Sequence, residues 1–229
     1  MPGGTQGKTA RGGTPQRVVG AVHPSADLLF AVICHFREDF PDDPRNTVRI
    51  YRLSNSGSVE WSKKIETIYG GPLTVALDPA GRRLFVTWSR IRPTEDGDEL
   101  DAYVALYRAS SGSKVAGPLQ IEGIRSIGFS EAVDAKDMIV TANARTGASH
   151  LSRLSVGSRN VRTKWAVDVA LPNIHPEVPT DEDVDLLFLC AGGNGKNAVL
   201  QARELDDGTL AAEKELAGRH PVPIHPCRG

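Results

Sequence analysis

Short apolar runs separated by turn residues recur along the chain from about residue 17 onward. In residues 20–32 (GAVHPSADLLFAV) and 75–87 (VALDPAGRRLFVT), an alternating apolar strand is followed by a Pro/Gly/Asp turn and by a second strand that is apolar almost throughout. Matching residues of the two segments, such as Phe30 and Phe85, lie 55 positions apart. A fixed period of this size predicts a repeat architecture built from β-strands.

A glycine-containing turn marks the later part of each repeat. The segments RLSNSGS, RASSGS, RLSVGS and ELDDGT place a glycine at positions 57, 112, 157 and 208. Glycine suits a hairpin turn that needs a positive φ angle, and the neighbouring Ser or Asp supplies local hydrogen bonds. Trp61 and Trp165 follow this turn in the first and third repeats, two periods apart.

Four strands per period of about 50 residues, with no convincing amphipathic helix, are typical of propeller blades. A β-sandwich would also contain many short strands, but it would not show this internal copying. We therefore predict an all-β fold, a β-propeller of about four blades of four antiparallel strands. The blades are predicted at about 17–70, 71–122, 123–171 and 172–218, after a disordered segment at 1–16 and before a tail at 219–229.

Charge and hydropathy narrow the classes of function. The 27 basic and 28 acidic residues give a net charge of −1, which argues against general affinity for nucleic acid or a membrane surface. The longest purely apolar run, residues 28–34, is too short to span a bilayer, and the first sixteen residues lack the apolar core of a signal peptide. The three cysteines have neither a disulfide framework nor CxxC spacing. We expect a cytoplasmic protein without a cofactor or a metal site.

Positions just after the second strand of each blade are candidates for ligand binding, because in a propeller they would border one mouth of the central channel. For a small acidic ligand, the candidates are His35, Arg37, Trp88, Arg90, Asn143 and Arg145. Two acidic connections, FREDFPDDPRN (36–46) and IRPTEDGDELDA (91–102), follow the second strands of the first two blades. They predict either a partner-binding or Ca²⁺-binding rim or solvated loops. The absence of EF-hand spacing favours solvated loops.

Several segments resemble the blades of lactonase-type seven-bladed propellers, the family that includes 6-phosphogluconolactonase and 3-carboxy-cis,cis-muconate lactonizing enzyme. HPSADLLFAV and DPAGRRLFVT are similar to the family's HPxGxxLYV hairpin, and TVRIYRL and YVALYRA are similar to its VxVYR strand. HPVPIHPC at 220–227 is similar to the Pro-rich ending of the family. The resemblance implies a propeller that binds a lactone or a small carboxylate.

The chain departs from that family where the family has its active site. The family's Gly-Pro-Arg-His run corresponds here to GPLT at 71–74, and its Asn-Glu pair corresponds to Trp88 and Ser89. Leu and Thr cannot take a proton or hold a carboxylate as imidazole and guanidinium groups do. We therefore expect a binding or scaffold module without catalysis, whose partner is another protein or a small carboxylate or lactone. The alternative is a lactone hydrolase or muconate-type lactonizing enzyme with a rearranged active site.

Only four blades are predicted, whereas the resemblance implies seven. The chain is then either a compact four-bladed ring or an incomplete ring that a second copy or another chain completes. In the second case, unpaired blade edges would drive self-association.

Overall fold

The described residues form sixteen β-strands in four antiparallel sheets, and each sheet contains four strands in their chain order. The computed structural model describes residues 15–23, 28–35, 47–65, 73–95, 97–142, 148–179, 184–191 and 198–216. The strands are β1 (Pro15–Val22), β2 (Leu28–His35), β3 (Thr47–Ser54), β4 (Val59–Ile65), β5 (Leu73–Leu77), β6 (Arg83–Thr94), β7 (Gly97–Arg108), β8 (Lys114–Ile121), β9 (Ser130–Ala132), β10 (Asp137–Ala142), β11 (Ser149–Val156), β12 (Val161–Val169), β13 (Ile174–Glu177), β14 (Leu186–Ala191), β15 (Ala198–Glu204) and β16 (Leu210–Leu216). The predicted all-β propeller fold with four blades of four antiparallel strands is confirmed: blade 1 is β1–β4, blade 2 is β5–β8, blade 3 is β9–β12 and blade 4 is β13–β16.

Blades 2 and 3 each lie between two other blades and bury both of their faces. This explains why the second strand of such a blade is apolar almost throughout. In β6, Leu84 and Val86 contact blade 1, whereas Phe85 between them contacts blade 3. Successive side chains of a strand point to opposite faces of its sheet, so both sets must be apolar when both faces are covered. We call the face toward the preceding blade the near face and the opposite one the far face.

Three hydrophobic cores fill the three interfaces between consecutive blades. Their largest fully buried side chains include Phe30 and Ile50 between blades 1 and 2, Phe85 and Met138 between blades 2 and 3, and Leu151 between blades 3 and 4. Within the described residues, no core joins blade 4 to blade 1. The first strands of neighbouring blades pack in the order β1, β5, β9 and β13, and no comparable contact links β13 back to β1. In the described part of the chain, the blades therefore form an arc.

An arginine and a tryptophan of blade 1 hold the turn between β7 and β8. Arg52 Nη1 donates hydrogen bonds to the carbonyl oxygens of Ala109 (3.3 Å) and Ser110 (2.7 Å), and Trp61 Nε1 donates to Ala109 O at 3.2 Å. The indole ring covers Gly112 so closely that a Cβ at this position would lie 2.7 Å from its Cε3. The turn glycine is therefore needed for the packing of two blades as well as for its φ angle of +64°.

The same arrangement recurs between blades 3 and 4. Arg153 Nη1 and Trp165 Nε1 both donate to the carbonyl oxygen of Leu205, at 3.0 and 2.9 Å. A Cβ at Gly208 would lie 2.9 Å from the Trp165 ring. We call the pairs Arg52/Trp61 and Arg153/Trp165 the Arg–Trp clamps.

Blades 2 and 4 carry leucine or alanine where blades 1 and 3 carry the clamp. Strand register places Leu106 and Ala116 of blade 2 opposite each other, in the row that contains Phe85. Ala202 and Ala212 occupy the same row of blade 4. The structural repeat is therefore two blades long, which accounts for the two-period spacing of Trp61 and Trp165.

The two ends of the sheets differ. One end, the turn end, carries the connections between the first and second and between the third and fourth strands of a blade. The opposite end, the loop end, carries the connections between second and third strands. The prediction of a loop at 91–102 is wrong, because β6 and β7 continue as a paired hairpin in which Thr94 pairs with Gly97. Apolar Ile91 and Leu100 pair within this extension. The other acidic connection, 36–46, lies outside the described residues.

Candidate functional site

Two of the six candidate ligand-binding side chains are described. Trp88 is only 3% exposed, belongs to the core between blades 1 and 2, and stacks on Tyr103 with ring centroids 5.9 Å apart. Arg90 is exposed on β6. The backbone of His35 pairs with that of Thr47. The His35 side chain and the residues Arg37, Asn143 and Arg145 lie outside the described set. Ligand binding by these six residues stays a prediction.

A cleft of about 340 Å³ opens at the turn end of blades 2, 3 and 4. Its lining comprises residues of the turns 78–82 and 133–135, together with Arg153, Val178, Pro179, Val184, Asp185, Leu205 and Asp206. Arg82 directly precedes β6 and Arg90 lies eight residues further on, a distance of roughly 25 Å along an extended strand. The cleft and the predicted channel rim therefore lie at opposite ends of the sheet.

Asp78 shapes the blade 2 wall of the cleft. Its side chain is 1% exposed, and its Oδ1 accepts hydrogen bonds from the backbone N–H groups of Arg82 (2.5 Å) and Arg83 (2.6 Å). Its Oδ2 is buried without a hydrogen-bond donor, with Arg82 Nε 3.7 Å away. Asp134 closes the corresponding turn of blade 3 by accepting from the N–H groups of Lys136 and Asp137 at 2.6 and 2.8 Å. These aspartates fix the turn geometry from within.

At the floor of the cleft, Arg153 of β11 contacts the start of β10 in its own blade and the turn between β15 and β16 of blade 4. Besides its bond to Leu205, its Nη2 donates to Asp137 Oδ2 at 3.0 Å, and its Nη1 lies 3.4 Å from Asp206 Oδ1. Lys164 also donates to Asp137 Oδ2. The Nε of Arg153 is buried without a partner. The side chains of Arg153 and Asp137 are 10% and 5% exposed, so this pair is largely removed from water.

Asp137 remains a carboxylate in this network. Burial raises the pKa of the Asp137 carboxyl, but hydrogen bonds from Lys164, Ser155 and Arg153 lower it by more, so the pKa lies below its ordinary value. The charged form is therefore the one that the fold stabilises, and it fixes the position of Arg153 beneath the cleft.

The mouth of the cleft is acidic. Four carboxylates, those of Asp78, Asp134, Asp185 and Asp206, line it against two guanidinium groups. One of these, that of Arg153, is already paired with Asp137, which lies outside the lining. Asp185 is exposed, and the side chain of Asp206 is 91% exposed. Asp206 contacts Arg153 Nη1 at 3.4 Å but keeps most of its carboxylate in solvent, so both Asp185 and Asp206 can contact a positively charged ligand.

Sequence reasoning missed this cleft because its members come from distant parts of the chain. Arg153 and Leu205 are 52 residues apart and meet only through the packing of blades 3 and 4. The one local signal is the DPAG turn at 78–81, where an aspartate precedes a proline and a glycine. That signal predicts the turn but not a cleft beside it.

No group of three or more His, Cys, Asp and Glu side chains in the described part of the chain is arranged to hold a metal ion. Across the same residues, no helix of the length and hydropathy needed to cross a membrane is found.

The chain is similar in fold to several solved structures at low sequence identity. An acylaminoacyl peptidase in complex with Z-Gly-Gly-Phe-chloromethyl ketone is 12% identical with a TM-score of 0.50, over 90% of this chain and 32% of that one. A protein of unknown function from Dyadobacter fermentans is 15% identical with a TM-score of 0.56, over 89% and 70% of the two chains. Saccharomyces cerevisiae Sqt1 is 11% identical with a TM-score of 0.52, over 86% and 47%.

At these identities the likeness shows the fold alone, and this chain spans about a third of the peptidase chain. No protein-family profile matches the sequence, and no curated protein matches it significantly. None of the three solved structures is named as a lactonase, so the resemblance to that family stays a prediction. The chain therefore has a β-propeller fold. The solved structures that share this fold include an enzyme, the peptidase, and proteins that are not named as enzymes.

Proposed function

We propose that this chain is a non-catalytic binding module that accepts a lysine- or arginine-bearing segment of a partner protein in the turn-end cleft. The observation that carries the proposal is the buried Oδ2 of Asp78, a carboxylate oxygen without a hydrogen-bond donor in the cleft wall. A buried acceptor left unsatisfied is costly, so a donor that reaches it binds favourably. Arg82, whose Nε lies 3.7 Å from this oxygen, has a side chain that is 72% exposed to solvent.

The walls of the cleft suit the stem of a long basic side chain. Apolar groups of Val133, Val178, Val184 and Leu205 stand beside the carboxylates. Lysine and arginine side chains combine an apolar stem with a charged end, and they bury the stem against such walls while the charge contacts an acid. Among the described residues that line the cleft there is no His, Cys, Ser or Thr, which are common nucleophiles and proton carriers of hydrolases.

The double variant Asp185→Asn/Asp206→Asn tests this proposal. A fluorescently labelled lysine-rich peptide should bind the wild-type chain, and we expect the variant to bind it roughly tenfold more weakly, because two exposed ion pairs contribute about 1.4 kcal/mol together. Fluorescence anisotropy measures the dissociation constant. Binding should also weaken between about 0.1 M and 1 M salt, because the Debye length falls from about 10 Å to 3 Å.

The matched control is Glu95→Gln/Glu122→Gln, which removes the same charge from exposed positions outside the cleft. This control should bind the peptide like the wild type, and a glutamate-rich peptide should bind neither protein. Equal weakening in both double variants would show a general charge effect and would contradict a specific site.

The runner-up function, lactone hydrolysis or muconate-type lactonization, places its small ligand at the loop end near Arg90. We expect no lactone turnover by the wild-type chain. Turnover that is lost in Arg90→Ala and retained in Asp185→Asn/Asp206→Asn would favour the enzyme instead.

A further inference from the structure

The far face of blade 4 carries apolar residues of β14, β15 and β16 beside the charged residues Glu177, Glu204 and Lys214, and no blade of the described residues covers it. In β14, Leu187 and Leu189 are buried against blade 3, whereas Phe188 between them points the other way and is only partly buried. Register places Phe188 opposite Ala202, and Ala202 opposite the exposed Ala212. This row is therefore apolar over β14, β15 and β16 and ends in Glu177 on β13, which pairs with Phe188.

The near face of blade 1 is the complementary open surface. Val22 and Val59 are 59% and 56% exposed. They are the two ends of one cross-strand row, in which Val22 pairs with Leu29, Leu29 with Leu53, and Leu53 with Val59. The equivalent row of blade 3 contains Ala132, Met138 and Leu154. Leu154 directly follows the clamp residue Arg153, just as Leu53 of blade 1 directly follows Arg52. Those three residues are at most 4% exposed because they pack on blade 2. Val22 and Leu53 of blade 1 are thus more exposed than Ala132 and Leu154, their counterparts in blade 3, whereas Thr163, the counterpart of Val59, is exposed in blade 3 as well.

The two-blade repeat indicates which surfaces match. Blades 1 and 3 carry an Arg–Trp clamp on their far faces, and each clamp holds the turn of blade 2 or blade 4. Blade 2 carries Leu106 and Ala116 instead, and its far face packs on the near face of blade 3. Blade 4, with Ala202 and Ala212, has a far face of the blade 2 kind. The surface that fits it is the near face of an odd-numbered blade.

The turn glycines support the same order. Gly112 and Gly208, in blades 2 and 4, lie directly under a clamp tryptophan, whereas a Cβ at Gly57 of blade 1 would meet nothing within 4 Å. The turn of blade 1 therefore leaves the space above it open. A preceding blade with small residues, such as blade 4, is compatible with this turn.

We propose that two copies of this chain associate with blade 4 of each packed on blade 1 of the other, which gives a closed ring of eight blades. Eight blades lie within the range of about four to eight that propellers adopt. Each copy contributes both kinds of surface, so the dimer has one two-fold axis and two identical interfaces.

Light scattering on a size-exclusion column tests the proposal with the full chain. We expect a dimer, with a mass of twice 24.6 kDa, that dissociates on dilution. Ala212→Arg on blade 4 and Val22→Arg on blade 1 should each raise the dissociation constant at least tenfold, because each places a charge in both interfaces. Ser158→Arg, at an exposed turn away from both faces, should leave the mass unchanged.

A mixture of the two interface variants distinguishes this arrangement from other dimers. The blade 4 face of the Val22→Arg chain and the blade 1 face of the Ala212→Arg chain are both intact, so the mixture should form more dimer than either variant alone. A monomer at every concentration would overturn the proposal, including a monomer in which a segment of the chain itself covers blade 4. A dimer that Val22→Arg leaves intact would overturn it as well.

Discussion

Replacement of Arg153 by methionine is expected to lower the free energy of unfolding by about 3 kcal/mol. The change leaves the 5% exposed carboxylate of Asp137 with Lys164 as its remaining cation, and removal of one partner from a buried ion pair is strongly destabilising. It also removes a donor from the carbonyl of Leu205. Urea denaturation followed by tryptophan fluorescence measures the loss.

Arg52→Met is the matched control because Arg52 holds the equivalent place in blade 1. Its acidic partner, Glu60, is 39% exposed, so we expect a cost of only about 1–1.5 kcal/mol, mainly from the hydrogen bonds to the turn of blade 2. A cost for Arg153→Met that is no larger than the cost for Arg52→Met would contradict the buried network.

The effect of Arg153→Met should also depend on pH. The pKa of Asp137 in the folded chain is below its unfolded value, so its stabilising contribution is present above the unfolded pKa and is lost as the pH falls through the folded pKa. The difference in stability between the variant and the wild type should therefore shrink in acid. A difference that stayed constant would assign the loss to packing alone.

Gly208→Ala is expected to lower the free energy of unfolding by about 2–3 kcal/mol. Its φ angle of +76° costs a non-glycine residue roughly 1 kcal/mol. The new Cβ would also lie 2.9 Å from the Trp165 ring, so the indole must shift and weaken its hydrogen bond to Leu205. The same denaturation measurement gives the size of the loss.

Gly57→Ala separates these two causes. Gly57 has a φ angle of +79° in the equivalent turn of blade 1, but a Cβ there would meet nothing within 4 Å. We expect this variant to lose only roughly 1 kcal/mol, the cost of the backbone conformation. Equal losses at the two glycines would mean that Trp165 does not press on the turn of blade 4.

The repeat was visible in the sequence because strands and turns are local features. Alternating apolar residues predicted the strands, and the glycines at 57, 112 and 208 have the positive φ angles expected of them. Gly157 does not: its N–H donates to Asn160 O at 2.9 Å, in a turn that needs no left-handed residue. Similar sequence segments therefore did not guarantee the same turn.

Features that depend on contacts between blades could not be predicted. Trp88 was assigned to a channel rim because it follows an apolar strand, but that strand continues to Thr94 and Trp88 packs in the core. The sequence could not predict that Arg153 binds the turn of blade 4, because it does not show which face of blade 3 contacts that turn. The acidic cleft depends on the same packing and was missed for the same reason.

Hydrogen–deuterium exchange with and without the lysine-rich peptide tests the central claim most directly, because it locates the bound segment on the chain. We expect slower exchange at the turns 78–82 and 133–137 and at residues 184–186, with no change at 88–95. Protection confined to 88–95, at the opposite end of the sheets, would contradict the turn-end cleft and favour the channel rim.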